Sequence, residues 1–519
     1  MPIVQQGAIN TTALVVPDLY VQIVPPQSLL LNGVPTDMLG VVGTASWGPV
    51  GEPTVIGSMS DYAAAFGPVM ARKHDMGTQV ATAVQQGAAN FRCVRVSDGT
   101  DTAASLTVLG AITFTAVHTG STGNQLTLTL SAGSAANSWR LTVALPGQSP
   151  EVFDNLTGSG AQFWQNLANA VNSGNGVLRG PSQLVVASAQ SVQATPTAGS
   201  YPFAGGTPGS DGANGVTAAT LVGSDTAPRL GMYALRGQGC AIALLADTDD
   251  PTQWSVQMEF GLSESVYMIL TGPAGDTIAN AVVVKGEAGV DSYAAKMMFG
   301  DWIYWFDQAN AVTRLVSPQG FVAGRLANLS PEQSSLNKPL YGVVGSQKSG
   351  QPGSATATTY ASADLAALLS AGIDVIANPQ PGGAYWGVRG GHNSSSSAAV
   401  NGDNYTRLTN YIAATLQAGM GGYVGQLVNS TLFQKIRATL LAFLNGLLQQ
   451  GMLGSTDGST PFAVICDVSN NPQSRTALGY VQADVQVQYQ AINEKFIVNV
   501  QGGQTVQVSV CLLYTSPSP

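Results

Sequence analysis

Between Pro17 and the pair Pro25-Pro26 lies one short apolar-rich run, Leu19-Tyr20-Val21-Gln22-Ile23-Val24. Proline fixes φ and lacks the N–H that a ladder needs, so this run reads as a strand cut off at both ends. It has no nearby hairpin partner, and an isolated strand is not stable in water. It must therefore complete a sheet edge elsewhere, in its own chain or in another copy.

From Leu39 onward the pattern is alternating strand and helix. Leu39-Gly40-Val41-Val42-Gly43-Thr44 reads as a buried strand. Ser58 or Ser60 can cap a helix through Ala63–Phe66 that Gly67-Pro68 ends, and Val80, Ala83, Val84 and Ala88 share one helical face before a strand at Phe91–Val96. Strand, helix, strand implies a crossover in a mixed or parallel sheet. Residues 98–229 are different, being rich in Thr, Ser, Gly and Ala. There Leu126–Leu130 and Leu141–Leu145 alternate with period two, and a helix is expected around Phe163, Leu167, Ala170 and Val171. This stretch is expected to be an inserted small mixed α/β domain, left through the Gly205–Gly212 loop. Strands are expected again at Ala241–Ala246 and Val266–Leu270.

After the Gly390–Ser397 loop, Leu408, Ile412 and Leu416, then Phe433 through Leu448, form helical apolar stripes. Val481, Ala483, Val485, Val487 and Tyr489 alternate with polar residues as in a half-buried strand, continued by Phe496, Val498 and Val500. Gly502-Gly503 either closes a hairpin or frees the last run, Val506-Gln507-Val508-Ser509-Val510, to leave the body. The residues from Cys511 to Pro519 change character and are read as a non-native extension or a native tail, outside the fold.

Only 9% of the 519 residues are charged, against about 25% in an ordinary soluble protein. The polar surface must come from Ser, Thr, Asn, Gln and backbone. Either the chain is a β-rich protein with a neutral surface, or much of that surface is covered by other subunits. A hydrophobic content of 45% rules out a disordered chain, and a net charge of −9 argues against a nucleic-acid binder. No segment approaches the ~20 apolar residues needed to span a bilayer, and the N-terminus lacks signal-peptide features.

Chemistry-bearing motifs are scarce. Cys93, Cys240, Cys466 and Cys511 are far apart in apolar runs, as buried thiols are. His74, His118 and His392 lack metal-ligand spacing, and neither a nucleophile elbow nor a P-loop occurs. Asp247, Asp249 and Asp250 after a buried strand are the catalytic candidate, able to hold Mg²⁺ at a strand's carboxyl end. The competing reading is an Asp cap on the helix that Pro251 opens. Trp302, Tyr304, Trp305 and Phe306 form either a stacking platform or a core strand or subunit contact.

Several segments taken in order resemble contractile phage tail sheath proteins. They are Tyr20–Pro25; Val41–Ala45 with Gly48–Pro53 and Asp61–Gly67; Ser317–Gly324; Gly372–Ile376; Trp386–Arg389; Arg407-Leu408 with Tyr411-Ile412; and Phe462–Asp467 with Asn470-Asn471. The resemblance covers about residues 15–510, with 100–230 as the variable part. It departs from the family pattern at Gly390, where a Thr is expected, and at Gln22-Ile23, where Glu-Val is usual.

The resemblance implies an α/β and α+β multidomain fold. It divides the chain into an N-terminal arm (1–32), a sheath core domain in two parts (33–99 and 231–390), an inserted β-rich domain (100–230), a C-terminal α+β domain (391–500), and a C-terminal arm with the tail (501–519). It implies a non-enzymatic structural subunit without cofactor, metal or catalytic residues. Copies would stack as sixfold rings in a helical sheath around a tail tube, with baseplate and tail terminator proteins as further partners, and without nucleic-acid binding or membrane insertion. The place would be the virion tail, assembled in the bacterial host cytoplasm. Leu19, Tyr20, Val21, Gln22, Ile23 and Val24, with Val506, Gln507, Val508, Ser509 and Val510, would be strands donated between subunits. Val481, Val485, Val487, Phe496 and Val498 would belong to the acceptor sheet. The nearest rival is the sheath of a phage-derived bacteriocin or other contractile injection system. Rivals of other classes are a β-rich adhesin or carbohydrate-binding protein, and a hydrolase using Asp247.

Overall fold

The computed structural model describes residues 31–176, 179–351, 353–354 and 358–500, together with the backbone of strands 3–6 and 20–23. At its centre is a seven-stranded sheet in the order Ile373–Asp374, Ala295–Met298, Tyr267–Thr271, Ile242–Leu245, Leu39–Gly43, Phe91–Arg95, Pro53–Ile56. All neighbours are parallel except the edge strand Pro53–Ile56, which runs antiparallel to Phe91–Arg95. Runs such as Leu39–Gly43 and Tyr267–Thr271 are buried at every position, because helices cover both faces. One face carries helices Met59–Phe66, Met76–Gln85 and Gln319–Ala327; the other carries Trp254–Glu264, Ile278–Glu287 and Ser362–Ser370. Ser58 is the cap of the first helix and Gly67, at φ +81, its end.

The stretch between Ser97 and Asp211 folds on its own antiparallel strands. Glu151–Leu156, Trp139–Ala144, Thr127–Ala132 and Gly199–Pro202 form one sheet, and Val185–Ala189, Ile112–Ala116 and Ser105–Val108 a second. Helix Gly160–Ser173 closes a core that includes Phe114, Phe153, Phe163 and Trp164. Val216, Leu221, Val222, Met232 and Leu235 instead pack on the parallel sheet. Arg95, fully buried, bolts this unit to the body through Gly48 O and Thr119 O (both 2.7 Å), while Arg72 holds Asp211 at 2.5 Å.

The C-terminal unit packs helices Asp403–Gly419 and Ser430–Gln449 against an antiparallel pair, Phe462–Ile465 and Asp484–Val487. The fold is thus a multidomain mixture of α/β and α+β. Among the described residues no helix is long and apolar enough to cross a membrane.

Candidate interaction surface

The long helix Asp403–Gly419 is where two segments distant in sequence, residues 31–36 and 489–490, meet the body. On one side runs the segment from Leu31 to Thr36. Val34 N donates to Thr415 Oγ1 (3.2 Å), and the Arg407 guanidinium donates to Thr36 O (3.3 Å) as well as to Leu329 O and Ser330 O. A side chain at Gly33 would meet the Tyr411 hydroxyl, and one at Gly419 would meet Leu31. On the other side lies the segment that follows the last strand. Tyr489 packs edge-on against Tyr405 and hydrogen-bonds Thr409 (3.1 Å); Asn404 donates to Gln490 O (2.9 Å); His392 Nε2 lies 2.7 Å from Glu494 Oε1.

Beside that helix is the two-stranded pair, with Val464 opposite Val485 and Phe462 opposite Val487. Among the described residues neither strand has a second neighbour; apart from Val464 O, which accepts from Arg437 (3.3 Å), their outward backbone groups are open to strand addition. Val485 and Val487 lie in this sheet and Val481 just before it, all packed on the helical core. Inward-outward alternation continues to Tyr489, but the strand pairing ends at Val487, with one last backbone bond from Gln488 N to Pro461 O (2.6 Å). Phe496 and Val498 are in no strand of this chain and are 82% and 63% exposed, so the expected strand there corrects to uncovered chain. The stretch from Tyr20 to Ile23 is a strand, and it has a partner the sequence reading did not find. It pairs in parallel with Ile3–Gln6, Tyr20 opposite Ile3. Leu19 and Val24, and the run from Val506 to Val510, lie outside the described residues.

A buried charge cluster joins this unit to the parallel sheet. Lys296 Nζ donates to Asp374 (2.7 Å), Asp403 (3.0 Å) and His392 O (2.7 Å), and all three ionic side chains are essentially inaccessible. Asp403 also accepts from Tyr267 (2.6 Å) and from Ser335, and Asp374 from the backbone N–H groups of Val375, Gly390, Gly391 and His392. Burial alone pulls an ammonium down, but the two carboxylates outweigh it and hold the Lys296 pKa above its ordinary value. Burial raises a carboxyl, but Lys296, Ser335 and Tyr267 outweigh it at Asp403 and keep it low. The cluster was missed in the sequence, though a lysine inside the otherwise apolar run Ala295–Met298 was the signal.

The catalytic candidate comes apart. Asp247 is buried at φ +52, where it accepts from His74 N (3.0 Å) and Gln79 Nε2 (2.9 Å). Asp249 pairs with Lys73, and Asp250 caps the short helix that Pro251 opens. Among the described residues no group of three or more His, Cys, Asp or Glu is arranged to hold a metal. Trp302 and Trp305 are core residues, their indole N–H groups on Gly272 O and Gln85 Oε1. Cys93, Cys240 and Cys466 are buried free thiols.

No family model and no curated protein matches the sequence. Solved structures do match the fold. A sheath tail protein from Desulfitobacterium hafniense superposes with a TM-score of 0.55 at 15% identity, over 86% of this chain and 93% of that one. The sheath tail protein Lin1278 from Listeria innocua gives 0.57 at 14%, over 84% and 89%. The chain has the tail sheath protein fold. The sheath of an extracellular contractile injection system, PVC, in its contracted state gives 0.54 at 12% identity, over 95% and 99%. The anti-feeding prophage helical sheath, also contracted, gives 0.53 at 11%, over 95% and 100%.

Proposed function

We propose that this chain is the structural subunit of a contractile sheath. Copies polymerise helically around a tail tube and rearrange to drive that tube through a host cell envelope. The observation that carries the reading is the fold match to sheath proteins over 86–95% of this chain, with sheet edges left open at the C-terminal unit. Strand addition at those edges by a neighbour's N-terminal (1–32) or C-terminal (501–519) arm would supply backbone hydrogen bonds that survive rigid-body motion. Head-to-tail contacts that do not close give helical filaments. The extended form would be a trapped state that contraction releases.

On this reading the chain is not an enzyme, and the part of the expected 100–230 insertion that folds on its own strands, up to Asp211, is an outward decoration. The further partners are tube, baseplate and terminator proteins, and assembly takes place in the bacterial cytoplasm. The sheath of an injection system rather than of a phage tail is the second reading, favoured by the higher coverage of those sheaths.

Negative-stain microscopy of the purified protein tests the proposal: hollow tubes are expected, and compact particles at all concentrations would reject it. Deletion of residues 1–26 should leave folded chains that do not polymerise. Normal tubes from the truncated chain would remove the N-terminal arm from the mechanism.

A further inference from the structure

The C-terminal segment is fastened to the body at successive points and then runs out uncovered. Tyr489 and Gln490 are held by Thr409, Tyr405 and Asn404 on the long helix. The next polar fastening is the pair of His392 and Glu494 at 2.7 Å. Beyond it, Phe496, Ile497, Val498 and Val500 are each more than 60% exposed. Every fastening before Glu494 is a contact between neutral groups. The last is an ion pair only when the imidazole carries its second proton.

We propose that His392–Glu494 is a pH-sensitive latch that sets where the C-terminal segment leaves the body. It is closed when His392 is protonated and loosened when it is neutral. The side of the latch on the body is rigid. His392 N donates to Asp374 (3.3 Å), and His392 O accepts from Lys296 Nζ (2.7 Å), itself locked to Asp403. Those three charges are committed to one another, which leaves Glu494 as the ionic partner of the ring; the adjacent charge on the segment is Lys495. The Glu494 side chain is 37% exposed, so its hold is that of a surface pair and adjustable, not permanent. Imidazoles change charge between about pH 5 and 8, within reach of cellular conditions. The latch concerns the single chain and stands apart from the sheath reading.

Amide hydrogen exchange on unassembled full-length protein tests it, with protection in residues 488–500 corrected for intrinsic rates at pH 5.5 and 8.0. Protection should fall about two- to fivefold between the two in the wild type. His392→Gln should be low at both pH values, and His392→Arg, permanently charged, high at both. Peptides from 403–419 report whether the body is intact. A pH-independent wild type overturns the latch, as does a His392→Gln chain that keeps the wild-type pH response.

Discussion

Lys296 has all three ammonium protons on acceptors inside the protein, and both its carboxylate partners are as deeply buried as it is. Three charges taken out of water are tolerable only together, because each one's desolvation is offset by the others. Lys296→Met should therefore destabilise by about 3–5 kcal/mol in chemical denaturation, the cost of stranding Asp374 and Asp403. A loss under 1 kcal/mol would mean that water reaches the site. Asp75 shows the opposite balance. It caps helix Met76–Gln85 through Thr78, but burial lifts its pKa from 3.8 to about 7 against the opposing Thr78 hydrogen bonds and the Arg72 charge. Facing groups are Arg72, 4.0 Å away, and the buried Tyr62. A raised carboxyl pKa means that the folded state binds a proton the unfolded state has released. Asp75 thus weakens the fold progressively as pH climbs from about 4 to about 7, and fully above that. Asp75→Asn should gain on the wild type by a few kcal/mol between pH 4 and pH 8, read from denaturation midpoints. A constant difference across that range would show an ionised Asp75 at every pH.

Helices Met76–Gln85 and Gln319–Ala327 touch backbone to backbone, and the two glycines in Gln319-Gly320-Phe321-Val322-Ala323-Gly324 are the reason. A Cβ on Gly324 would lie 2.4 Å from Ala83 Cα, and one on Gly320 2.1 Å from Thr82 Oγ1. Gly324→Ala should cost about 1–3 kcal/mol by overpacking. Gly446→Ala, within helix Ser430–Gln449 and with open space around it, should instead stabilise the unassembled chain by about 0.5–1 kcal/mol. Matching thermal shifts in the two variants would refute this packing. Elements of this kind were legible. Apolar runs bounded by Gly and Pro gave the central strands, Ser58 and Gly67 bracketed their helix, and 3.6-residue stripes gave both C-terminal helices. The period-two pattern after Val481 runs beyond the strand itself, Asp484–Val487, because alternation reports which face is covered and not whether a ladder partner exists. Ile3–Gln6 went unread as a partner because parallel pairing across the intervening chain leaves no turn signal.

At the scale of the molecule, composition separated the Thr- and Ser-rich unit from the α/β body because the two bury their sheets differently. One sheet system is antiparallel and half-solvated; the other is parallel and covered on both faces. The boundary near 230 was less legible, since the turns carrying Leu221 and Met232 look like loop yet pack on the body. For the buried charges around Lys296, the lysine in its apolar run is legible but its carboxylate partners are not, because they lie up to 107 residues away in sequence. That internal use of charge bears on assembly. Of only 20 Lys and Arg, at least nine already have carboxylate partners within the chain, and Arg95 and Arg407 are spent on backbone carbonyls. Few cations remain for ion pairs between copies. Apolar side chains do remain: Val424 and Leu427 are 86% and 85% exposed on the turn between the two long helices, in a stretch from Leu408 to Gln434 without one charged residue. Contacts built from such surface are not screened, whereas at 1 M salt the Debye length falls to about 3 Å and exposed ion pairs fade. On the proposed sheath reading, tubes formed at 50 mM NaCl should therefore still pellet after transfer to 1 M, with the sedimented fraction unchanged within about a factor of two. If most of the protein returns to the supernatant, a lattice of charge pairs holds the copies together, and the scarcity of charge in this chain has some other cause.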